Sequence, residues 1–89
     1  MKYTVLWSRK AERELAQIWV DAPDRERITA AARAIDVLLR QDAHLCGESR
    51  VGATRVEFIP PLGVAFQVLP ADCLVRVLAV WSFGAGKEP

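Results

Sequence analysis

Cysteine and histidine are nearly missing from this chain: it holds two cysteines, Cys46 and Cys73, and one histidine, His44. Two cysteines make no disulfide framework, and neither a CxxC nor a Cys/His metal spacing occurs, so no metal and no cofactor is expected. Unpaired thiols fit a reducing compartment, and a cytoplasmic location is expected. Neither sign of charge dominates. With 12 Lys and Arg against 11 Asp and Glu, the net charge is +1 and the pI about 7.8. That excludes a protein that coats nucleic acid through one large basic surface, though not a local basic cluster. Long apolar runs are absent, so no membrane span is expected, and Met1-Lys2-Tyr3-Thr4 carries no signal-peptide hydrophobic region. Repeats, low-complexity tracts and internal linkers are absent too.

What the chain does have is apolar surface. Hydrophobic residues make up 52% of 89 residues, and the mean hydropathy is +0.11. One domain spanning residues 1–89 is expected. A domain of this size buries only about 60–65% of its unfolded surface. Some of the apolar excess is therefore expected at an interface with a partner.

Tyr3-Thr4-Val5-Leu6-Trp7 reads as a strand with Tyr3, Val5 and Trp7 on one side. Ser8 is an N-cap, and from Arg9 the period becomes helical, with Ala11, Leu15, Ile18 and Trp19 on one stripe. Asp21-Ala22-Pro23-Asp24 ends that helix and opens a second, from about Pro23 to about Gln41, whose stripe is Ile28, Ala31, Ala32, Ile35, Leu38 and Leu39. Asp42 to Ala53 is a polar connection. Three short runs rich in Val, Phe, Leu and Ile follow: Thr54–Ile59, Leu62–Leu69 and Leu74–Phe83, separated by Pro60-Pro61 and Pro70-Ala71-Asp72. These predict an antiparallel meander. The fold class is therefore α+β, in the order β-α-α-β-β-β, with two N-terminal helices packed on one face of a small, mainly antiparallel sheet.

Simple alternation assigns the two sheet faces. The helix-covered face collects Val56, Phe58, Val64, Phe66, Val68, Val75, Val77, Ala79, Trp81 and Phe83. The open face collects Arg55, Glu57, Ala65, Gln67, Leu69, Leu74, Arg76, Leu78, Val80 and Ser82. Trp7, Trp19 and Trp81 are expected in the core rather than as stacking platforms for bases. His44 reads as a solvated surface residue, and Cys46 and Cys73 as unreactive thiols.

Trp7-Ser8, Ala11 and Glu14-Leu15-Ala16-Gln17-Ile18-Trp19 together resemble the opening of the RelE/ParE toxin superfamily, which includes plasmid stabilisation proteins. Ile35 to Leu39, Gly47, Arg50 and Arg55 resemble its middle. Leu62-Gly63-Val64-Ala65-Phe66-Gln67-Val68 and Val75-Arg76-Val77-Leu78-Ala79-Val80 resemble its closing hairpin. The resemblance covers nearly the whole chain. It implies the toxin of a type II toxin–antitoxin system, neutralised by a cognate antitoxin whose C-terminal segment wraps it. It also implies one of two actions: ParE-like inhibition of DNA gyrase by protein binding, or RelE-like cleavage of mRNA on the ribosome. Arg55, Gln67, Arg76, Leu78 and Val80 are the expected partner-binding residues. For cleavage, the candidates are Arg55 and Arg76 as phosphate cations and Ser82 in the place where many members carry a histidine. A C-terminal tyrosine used by some nucleases of the family is missing, so inhibition by binding is expected to prevail. A degenerate member acting as a homodimer or interaction module is the further alternative.

Overall fold

Helix α1 starts where β1 has to stop. β1 covers Thr4–Trp7, and the next residue, Ser8, turns its hydroxyl onto the Ala11 amide at 3.0 Å as the N-cap of α1 (Arg9–Asp21). An N-cap hydroxyl satisfies one of the amides a helix start leaves open, an effect of about 1 kcal/mol. α2 covers Arg25–Asp42, and the Asp24 carboxylate accepts the Arg27 amide at 3.2 Å at its start. The computed structural model describes residues 2–42, 48–49 and 54–83. His44 and Cys46, together with Gly47 and Arg50, lie outside them.

The sheet adds β3 (Thr54–Ile59), β4 (Leu62–Leu69) and β5 (Leu74–Ser82), with a 3₁₀ turn at Pro70–Asp72. A short strand β2 (Glu48–Ser49) lies within the stretch expected to be only a polar connection and pairs with β3. The strand order is β1-β5-β4-β3-β2. All neighbours are antiparallel except β1 and β5, which run parallel with Val5 opposite Val75 and Trp7 opposite Val77.

The core joins the helix stripes to one sheet face. Ala11, Ile28, Ala31, Ile35 and Leu39 meet Leu62, Val64, Phe66, Val75 and Val77, all buried. Burying a side chain as large as Phe66, Ile35 or Leu39 contributes about 1.5–3 kcal/mol each. Leu15, Ile18 and Trp7 pack against this core as half-buried residues. The Tyr3 amide donates to the Arg40 carbonyl at 2.6 Å and fastens the start of β1 to the end of α2.

Two local features reverse part of the face assignment. The two-residue link Pro60-Pro61, whose mutual peptide bond is cis, pairs Ile59 with Leu62. Glu57 then lies opposite Val64 and Arg55 opposite Phe66, while Val56 and Phe58 lie opposite Ala65 and Gly63. Arg55 and Glu57 thus share the helix-side face, and Val56 and Phe58 stand on the open one. In β5 the pairing steps from Phe66–Val77 to Ala65–Ala79, which leaves Leu78 as an extra residue in a bulge. One inserted residue inverts every later side chain. Val80, opposite Val64, is consequently in the core at 3% exposure, and Ser82, opposite Leu62, falls on the helix side. Trp81, opposite Gly63, and Ala79, opposite Ala65, face outward.

Candidate functional site

Two surfaces of the fold carry side chains that the core does not use. The first is a groove between the helices. A cleft of about 740 Å³ opens between α1 and α2, with Trp7, Leu15 and Ile28 among its lining residues. Trp19 (42% exposed), Val20 (55%) and Val37 (53%) stand along it with their apolar surface open. Trp19 is therefore not the core residue its helical stripe suggested. Its indole Nε1 donates to Thr29 Oγ1 at 3.2 Å, and the Arg25 guanidinium lies 4.7 Å from its ring centroid. Arg25 also donates to the Trp19 and Val20 carbonyls, both at 3.1 Å. Both carbonyls lie at the C-terminus of α1, where a cation is favoured, and the Trp19 carbonyl also accepts the Ala22 amide at 3.4 Å. Trp19 and Arg25 thus brace one end of the groove. Glu12 on α1 and Arg33 and Asp36 on α2 supply its charges, and Asp36 is engaged by Arg40 at 2.8 Å. Greasy walls with a mixed-charge border match an amphipathic segment rather than a small polar substrate.

The second surface is the open sheet face, which has three bands. At one end Phe58, Trp81 and Phe83 form an aromatic cluster, with Phe58 edge-to-face on Trp81 at 6.1 Å and on Phe83 at 5.4 Å. Gly63 lies directly beneath Trp81, and a Cβ there would come 2.6 Å from the indole Nε1. The middle band is a smooth floor of Val56, Ala65 and Ala79, which are register partners across three strands. At the other end Thr54, Gln67 and Arg76 make a polar row in which Gln67 pairs with both neighbours.

Among the residues singled out from the sequence, Gln67 and Arg76 are brought together on this face. Arg55 is not, because it lies on the opposite side of the sheet from Arg76. Ser82 and Glu57, the nearest proton carriers in the pattern, are also on that opposite side. Leu78 sits in the bulge, half-buried, with its carbonyl accepting from Ser8 Oγ at 3.4 Å. Val80 is buried and offers no surface to a partner. Sequence reasoning missed Phe58, Trp81 and Phe83 as surface residues. The available signal was Gly63, a glycine inside a strand, which often marks close approach of another group.

Glu14 ties α1 to β5. Its Oε1 accepts the Val80 amide at 2.9 Å and its Oε2 the Lys10 ammonium at 2.6 Å. The Lys10 hydrogen bond, and after it the Val80 amide, hold this carboxyl below the ordinary 4.5 against the opposing effect of partial burial. Among the described residues, no group of three or more His, Cys, Asp or Glu is placed to hold a metal ion, and no helix is long and apolar enough to cross a membrane.

Comparison by sequence gives no matching family model and no matching curated protein. Comparison by structure does give matches. The chain is similar to a chain of the RelBE2 toxin–antitoxin complex of Mycobacterium tuberculosis, with a TM-score of 0.76 and 21% identity over 93% of this chain and 100% of that one. It is similar to a chain of the chromosomal ParDE system of P. aeruginosa, with a TM-score of 0.72 and 20% identity over 93% and 98%. Part of TrmO from Pseudomonas aeruginosa also matches, at TM-score 0.62 and 26% identity, over 91% of this chain but 36% of that longer one. The fold is that of the RelE/ParE toxins.

Proposed function

We propose that a chain with this RelE/ParE-like fold is the toxin of a type II toxin–antitoxin pair, that it acts by binding a protein, with DNA gyrase as the target, and that a cognate antitoxin neutralises it. The observation that carries the antitoxin part is the helix groove. Trp19, Val20 and Val37 hold apolar surface open to water in a chain already rich in it. An amphipathic antitoxin helix laid between α1 and α2 covers that surface. Its apolar stripe would fill the groove beside Trp19, with a cationic flank toward Glu12 and an acidic flank toward Arg33.

The choice of binding over RNA cleavage rests on the sheet. Cleavage without a metal requires cations converging on one phosphate and a proton carrier beside them. Arg76 and Arg55 are on opposite faces, and the row beside Arg76 consists of Gln67 and Thr54. Gln67 and Arg76 with the aromatic cluster form a face suited to gripping a protein surface, since aromatic and arginine side chains dominate binding energy at interfaces.

The test is expression without and with the product of the neighbouring reading frame. The expected result is arrest in which DNA replication stops while protein synthesis continues at first, relieved by co-expression. Val37→Asp should keep the arrest and escape the relief, because it charges the groove without touching the sheet. Cleavage of ribosome-bound message in a codon-dependent pattern, lost in Arg76→Ala or Arg55→Ala, would establish the RelE-like mechanism instead.

A further inference from the structure

The bulge at Leu78 is not dictated by the hydrophobic pattern of β5. With the bulge, Val80 points inward and Trp81 outward. Without it, Ala79, Trp81 and Phe83 would continue the inward series of Val75 and Val77, and Val80 and Ser82 would face out. Both arrangements put an apolar row on the core side, so a burial pattern alone specifies the register weakly here. Some other contact has to choose.

That contact lies on the flank of β5 that β1 leaves bare. β1 ends at Trp7, opposite Val77, and the Ser8 amide makes the final bond of that ladder to the Val77 carbonyl at 2.9 Å. From Leu78 onward no strand among the described residues lies on that side of β5. Side chains at the start of α1 stand in for one. Ser8 Oγ meets the Leu78 carbonyl, and Glu14 Oε1 takes the Val80 amide at 2.9 Å. A regular β5 would present a different amide to Glu14. On the far face Gly63 leaves room for the Trp81 ring that the bulge turns outward.

We propose that Glu14 is the positioning residue that locks the bulged register of β5 and thereby builds the aromatic cluster of Trp81, Phe83 and Phe58 on the open face. The consequence rests on the functional reading above: a segment pressed into the helix groove bears on α1 and, through Glu14, on the orientation of Trp81. The lock itself belongs to the free chain, so its test and the growth-arrest test fail separately.

The experiment is NMR on the free, isotope-labelled protein and its Glu14→Gln and Glu14→Ala variants. Amide exchange at Val80 reads the hydrogen bond. The Gly63 Hα resonance and its cross-relaxation with the Trp81 ring read the distant face. Protection at Ile35 and Leu39 reports an intact core. In Glu14→Ala, exchange at Val80 should rise roughly tenfold or more, and the Gly63–Trp81 signature should weaken. Glu14→Gln keeps an acceptor oxygen at the same reach and should leave both near wild type. If Glu14→Ala does not fold, Glu14→Asp carries the test, since its carboxylate falls one methylene short. Loss of Val80 protection with an unchanged Gly63–Trp81 signature would reduce Glu14 to a local hydrogen bond and overturn the proposal. No change at either position would overturn it as well.

Discussion

Replacing Gly63 with alanine offers a sharp check on the reversed face of β5. Gly63 is buried at the second position of β4, in ordinary strand conformation. On backbone grounds alone, Gly→Ala at such a site stabilises by about 0.4–1 kcal/mol, by restricting the unfolded chain. The structure predicts the opposite sign. The new methyl would lie 2.6 Å, 2.7 Å and 2.9 Å from three atoms of the Trp81 indole, against an ordinary contact of about 3.5–4.0 Å. The ring has to lift by close to 1 Å, and it is held by its edge contact with Phe58. Overpacking of this kind costs about 1–3 kcal/mol. The net effect expected is a loss of about 1–2 kcal/mol, or roughly 4–8 °C in Tm per kcal/mol for a domain of this size. Thermal and denaturant unfolding measure it, and near-UV circular dichroism should show the tryptophan signal change. The second arm is decisive. In a Trp81→Ala background the obstacle is gone, and Gly63→Ala should become stabilising by about 0.4–1 kcal/mol. A Gly63→Ala protein more stable than wild type with Trp81 present would refute the outward placement of that ring.

Phe66→Ala should cost about 3–5 kcal/mol, because a fully buried ring leaves a cavity among Ile35, Val64 and Val77; a melting temperature that barely moves would count against the core described here. Val80→Asp should destabilise strongly, since it buries a charge beside Leu62 and Val64, whereas Arg76→Ala should leave stability within about 0.5 kcal/mol; circular dichroism melts of the two variants separate core from surface. Glu14 has a folded-state pKa below 4.5, so its contribution to stability is fully present above that value and is lost as pH falls through the folded pKa. The stability gap between wild type and Glu14→Gln should therefore narrow on acidification below about pH 4.5, measured as urea midpoints across that range; a gap that widens there would contradict the sign.

Much of the fold was legible because its signals are local. Ser8 caps α1 as its hydroxyl predicts, the α2 stripe of Ile28, Ala31, Ile35 and Leu39 is buried, and β3 and β4 have the expected bounds. The faces were legible only in part. Period-two reasoning holds from Val64 to Val77 and fails on either side of that stretch. It fails in β3 because a two-residue link joins odd-numbered to even-numbered positions, while Val56 and Phe58 look like core residues. It fails in β5 because a one-residue insertion within Leu78-Ala79-Val80-Trp81 leaves no trace in a uniformly apolar run. What selects the register there is a carboxylate 66 residues earlier in the chain, and a contact so distant has no signature in a window of sequence. A groove beside the helices is the second place the apolar excess suggests for a partner peptide, but the residues that open onto it were not legible, for a related reason. Val20 and Val37 lie off the stripes that face the sheet, and only the packing of α1 and α2 side by side brings them to one cleft.

The parallel pairing of β1 with β5 sets an order of events during synthesis. β1 leaves the ribosome first and β5 last among the described strands, yet β5 lies between β1 and β4. Until Leu74–Ser82 has emerged, β1 has no strand to pair with, α1 has no Val80 amide to hold, and Val75 and Val77 are missing from the centre of the core. The nascent chain is then a helical hairpin beside an unfinished hairpin of strands, with its apolar stripes uncovered. Contacts of such long sequence separation form late and leave the intermediate prone to association. The open face and its aromatic cluster come into being only with β5, the last of the described strands to emerge.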